Sequence, residues 1–147
     1  MGLFGPPNVE KLKAKRDVKG LIKALNYKKY SNIRWSAANA LGQIGDAQAV
    51  EALVAALNDK QWSVQEAAVK VLDSLGWQPL GNTQRALRAI ARKEWTKIVP
   101  LGSAAVMPLV KVATNRVDVA ETAIRAYPNN PAARKATRAQ AKCRKAM

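Results

Sequence analysis

A chain of 147 residues with a 48% hydrophobic share is the size of one ordinary domain and has material for a real core. That share comes chiefly from Ala, Leu and Val, with aromatics at 5%, and strong helix formers of this kind lean all-α. Twenty-five Lys and Arg against 10 Asp and Glu leave +15, a field that attracts nucleic acid, anionic membrane or acidic protein surfaces, and the one cysteine excludes an intramolecular disulfide.

The charge is unevenly placed. Residues 1–35 carry nine basic and two acidic side chains, residues 36–80 two and five, residues 81–115 six and one, and residues 116–147 eight and two. A mildly acidic middle with basic ends argues against a uniform solubility device. The first residues lack the basic start and apolar run of a signal peptide, and Pro6 stands where a myristoylation motif has Ser or Thr. No stretch approaches the roughly 20 apolar residues of a membrane span, so the expected location is the cytoplasm.

The first strong pattern runs from Val18 to Leu25 and returns at Val50 to Leu57, with four identities and Ile22 answered by Val54. Residues 33–45 return in the same way as 64–76, so that Leu41 meets Leu72, Ile44 meets Leu75 and Gly45 meets Gly76. Inside each copy the spacing is helical. Ile33, Ala37, Leu41 and Ile44 share one face, as do Val50, Leu53, Val54 and Leu57. Gly45 suits the left-handed end of a helix and Asp46 the cap of the next, with Ser31 or Asn32 and Ser63 as further expected caps. A stripe that one helix cannot bury alone requires stacked neighbours.

Residues 33–59 and 62–76 resemble HEAT-like repeats of the phycobilisome-lyase type, whose pattern runs Val-Arg-x-Ala-Ala-x-Ala-Leu-Gly-x-Ile-Gly-Asp. The resemblance is strong over 17–76, weaker over 103–126, where Leu109 and Val110 answer Leu53 and Val54, and absent from the tail. It implies antiparallel helix pairs in a short right-handed α-α superhelix, an all-α solenoid. It implies no single activity, because this repeat serves many proteins.

The pattern breaks at residues 76–82. Asn82 is the expected cap of a helix running to about Lys93, and Pro100 and Gly102 break the chain again. The organisation expected is a repeat domain over 1–128 with an insertion at about 77–102, followed by a basic helical tail over 129–147. Asn130 and Pro131 form a good helix start for that tail. Arg134, Arg138, Lys142 and Lys145 would line one side of it. With no apolar stripe, the tail is either a solvated end or an arm that orders on a polyanion.

Two further groups are candidates for binding. Arg85, Arg88 and Arg92 share an edge of the inserted helix, where guanidinium forks suit phosphate or carboxylate, although every amphipathic helix also needs a solvated face. Lys28 and Lys29 lie between Tyr27 and Tyr30, Arg34 precedes Trp35, and Trp62 lies at the equivalent turn of the next copy. Basic residues mixed with aromatics stack bases or anchor protein partners, while packing is the commoner role of such rings. Trp35 stands where the HEAT-like pattern carries a polar residue, which favours its exposure.

Catalysis finds no support in this sequence. Histidine is absent, which removes Ser-His and Cys-His pairs and the commonest metal ligand, and no cofactor motif is present. The His-Glu motifs of HEAT-like deoxyhypusine hydroxylases cannot exist here, and the resemblance alone does not carry over a bilin lyase or DNA glycosylase activity. The reading favoured is a non-enzymatic scaffold for an acidic or amphipathic protein partner. A nucleic-acid or ribonucleoprotein binder is the alternative, and an accessory subunit of a HEAT-like lyase the second.

Overall fold

In a computed structural model the described residues are 5–106, 108, 109, 125 and 128–131. Among them every regular element is helical. The chain divides into two compact units, Met1–Gln78 and Pro79–Met147, with the boundary inside the breaker cluster at 76–82.

The first unit holds α1 (Val9–Ala14), α2 (Val18–Leu25), α3 (Ser31–Ile44), α4 (Val50–Ala56), entered through a 3-10 turn at Ala47–Ala49, and α5 (Trp62–Ser74). Asn8, Asp17 and Asp46 each cap a helical start, with side-chain oxygens accepting from the amides of Lys11, Gly20 and Gln48. Of the expected stripes Ala37, Leu41, Leu53 and Leu57 are buried, with Leu21, Leu25, Val64, Ala68 and Leu72 beside them, while Ile33, Ile44, Val50 and Val54 are half-buried. Helix α3 packs on both α2 and α5, and α5 packs on α4, so each pair borrows its neighbour's apolar face.

Two glycine positions shape this stack. Gly45 and Gly76 end α3 and its copy with φ of +73° and +71°, the left-handed conformation in which a side chain is strained. Gly42 serves contact instead, since a Cβ there would lie 2.5 Å from a methyl of Val71 on α5. Its lack of a side chain sets how closely α3 and α5 approach.

The caps expected at Ser31, Asn32, Ser63 and Asn82 are corrected. Each helix begins one residue or more earlier than that expectation, with Tyr30, Gln61 and Gly81 in the capping positions and no side-chain cap bond from any of them. Other side chains take over. The Asp59 carboxylate accepts from the Gln61 amide at 2.8 Å, and Gln84 reaches back to accept from the Leu80 amide at 2.8 Å.

The second unit holds α6 (Asn82–Ala91) and 3-10 segments at Trp95–Lys97 and Val99–Ala105, the latter packed on α6. Ala86, Ala89, Ile90, Ile98, Ala105, Val106 and Leu109 are buried there. Pro100 does not stop helical winding outright, but Gly102 kinks the last segment. The third repeat copy and the helix expected near 117–126 lie almost wholly outside the described residues, as does the tail beyond Pro131.

Candidate functional site

The repeat extends past the end of the helices into the turns. Leu25-Asn26-Tyr27-Lys28 is answered in the next copy by Leu57-Asn58-Asp59-Lys60. The backbone follows suit: the amide of Tyr27 donates to the Ala24 carbonyl and that of Asp59 to the Ala56 carbonyl, both at 3.1 Å. One turn is therefore built twice, once after α2 and once after α4.

Both copies line one open cleft of about 430 Å³. Buried Leu25 and Ala56 form its floor and exposed Ala55 its apolar surface. Asn58 presents an exposed amide while that of Asn26 donates to the Ile22 carbonyl at 3.1 Å, and Lys28 and Lys60 contribute one ammonium from each copy. Both lysines are exposed, and neither forms an ion pair with a described acid.

The wall of this cleft is an ion pair. Arg34 Nε donates to Asp59 Oδ2 at 2.7 Å and its Nη2 to Asp59 Oδ1 at 2.9 Å, a bidentate fork between side chains only 11% and 12% exposed. Nη1 of Arg34 also donates to the Tyr27 carbonyl at 3.0 Å. One guanidinium thus pins the first turn and clamps it to the second. The hydrogen bond to Asp59 raises the Arg34 pKa above its ordinary value, burial pulls it down, and the charge of Asp59 raises it again. Arg34, expected as a contact for a partner, is engaged inside the chain.

Its counterpart in the next copy is Gln65, which is buried at 2% exposure. Gln65 Nε2 donates to the Asp59 carbonyl at 2.6 Å, the equivalent of the Tyr27 carbonyl held by Arg34. The same position therefore pins the same turn in both copies.

The other expected contacts are dispersed. Lys29 is exposed, with Nζ 5.2 Å from the Tyr30 ring centroid, and Tyr30 lies 6.1 Å from Tyr27. Trp35 is 47% exposed, in keeping with its expected position, whereas Trp62 is half-buried. On α6, Arg85 is exposed and Arg88 half-buried, while Arg92 Nε is 3.6 Å from Glu94. The three arginines do not present equal surfaces. Arg134, Arg138, Lys142 and Lys145 lie outside the described residues.

A family model described as HEAT repeats matches residues 18–107. The chain belongs to the HEAT-repeat family. No curated protein matches it. HEAT repeats generally act as protein-interaction scaffolds, and the twin turns belong to the stretch that the family match covers. Among the described residues no helix is long and apolar enough to cross a membrane. Reading the sequence for helical periodicity missed Asn26, Asn58, Asp59, Lys60 and Gln65 as members of one arrangement. The signal was present: carrying the self-alignment past Leu25 and Leu57 into the turns reveals it.

Proposed function

We propose that the chain is a non-enzymatic HEAT-repeat scaffold that holds an acidic protein partner on its first unit. The observation that carries this reading is how that unit uses its acids. Asp17 and Asp46 cap helices, Asp59 is held by Arg34, Glu10 pairs with Lys13 and Glu66 with Lys70. Lys28 and Lys60 have no such internal partner among the described residues. Asp17, Asp46 and Asp59 are thus engaged inside the unit, whereas the cleft lysines Lys28 and Lys60 face solvent, so a partner that complements the cleft is anionic.

Nucleic acid is the second reading, supported by Lys29 over the Tyr30 ring and by exposed Trp35, since basic residues beside open rings suit base stacking. The phycobilisome-lyase-type subtype and an accessory role beside a lyase rest on the sequence pattern alone. A pulldown with the full chain, before and after nuclease treatment, tests the proposal. Acid-rich proteins retained after nuclease support it. Loss of every partner on treatment, with oligonucleotide binding at about 50 mM salt that falls by orders of magnitude at about 200 mM, would transfer the assignment to nucleic acid.

A further inference from the structure

We infer that the twin-turn cleft is a spacing reader for an extended acidic protein segment, with Lys28 and Lys60 each taking one carboxylate. This inference rests on the scaffold reading above and specifies its site and ligand. Three observations lead to it. The lysines occupy the same register in consecutive copies of one turn, well separated in sequence, yet they line one cleft. The helices that precede them, α2 and α4, are in contact, and packed helix axes lie about 8–10 Å apart. The cation between them, Arg34, is closed off by Asp59, so the cleft presents two separate ammoniums rather than one diffuse basic patch.

The geometry selects the conformation of the ligand. An acid-rich segment repels itself into an extended chain. In the polyproline II form three residues make one turn and advance about 9 Å, which returns every third side chain to the same side. Acids at every third position therefore advance by about the spacing of the packed helices that lead into Lys28 and Lys60. Adjacent acids do not match it, because their carboxylates diverge around the chain. Exposed Ala55, on the lining of the cleft, suits the small or proline residues between the acids. The Asn58 side chain, exposed at the rim, is placed to bond the backbone of such a segment, which lacks internal hydrogen bonds of its own.

The test uses the full chain and two fluorescent peptides of about a dozen residues with equal composition, built from glutamate, alanine and proline. One carries glutamate at every third position and the other carries its glutamates in succession. Anisotropy titrations at about 50 mM salt should show the spaced peptide bound several-fold more tightly. Lys28→Gln and Lys60→Gln should each weaken it about two- to fivefold, and the double variant should bind both peptides alike. Lys70→Gln, which removes the same charge outside the cleft, should change affinity less than about twofold. A preference that survives in the double variant would overturn the spacing reader while leaving acidic-partner binding intact. Binding of neither peptide would remove both readings. Displacement of the spaced peptide by a short single-stranded oligonucleotide, with the same lysine dependence and higher affinity, would replace the protein segment with nucleic acid as the occupant.

Discussion

At the first turn, Arg34 holds the Tyr27 carbonyl and forks onto Asp59. At the second, Gln65 holds the Asp59 carbonyl with a neutral amide and makes no ion pair. The two copies share a backbone and a register but differ in what lies opposite. A guanidinium is used where the next turn offers a carboxylate, and a shorter amide suffices where the task is to satisfy one part-buried carbonyl. An unpaired buried acceptor costs about 1–3 kcal/mol, whereas removing one member of a largely buried ion pair costs more. Structural cations are thereby set apart from available ones: Arg34 is paired inside the chain, and Lys28 and Lys60 face solvent.

Substitutions should separate the two turns in a definite order. Arg34→Ala, which abandons Asp59 at 12% exposure, should cost about 2–4 kcal/mol in urea unfolding. Gly42→Val should cost about 1–3 kcal/mol, read in the same way, because the new side chain meets Val71 at the α3–α5 contact. Gln65→Ala should cost about 1–2 kcal/mol, and a loss equal to that of Arg34→Ala would erase the distinction between the turns. Lys28→Gln and Lys60→Gln should each stay within about 0.5 kcal/mol with unchanged circular dichroism, since both side chains are exposed.

Much of the fold was legible because helical periodicity is a property of neighbouring residues along the chain. The spacing of Leu41, Leu53 and Leu72 identified the buried stripes, and Gly45 and Gly76 ended α3 and α5 as their backbone freedom requires. Helix starts were less legible. Ser31, Ser63 and Asn82 have capping chemistry, but the chain enters the helix before reaching them, and Asp59 and Gln84 supply oxygens from positions that a local rule does not examine. Arg34 shows the same limit for the site. Its position beside Trp35 and the lysines reads as an open basic cluster, and only the fold brings the distant Asp59 into its reach. Lys60 has no basic neighbour in sequence, and its significance emerges only when the two turns are laid side by side.

Arg34 as an internal clamp between consecutive turns is the claim on which the rest depends. A double-mutant cycle of Arg34→Ala and Asp59→Ala, measured as unfolding free energy in urea, tests that most directly. Coupling of about 1.5–3 kcal/mol is the expected result. Additive effects, agreeing within about 0.5 kcal/mol, would mean that the two side chains act independently and that Arg34 is a solvent-facing cation like its neighbours.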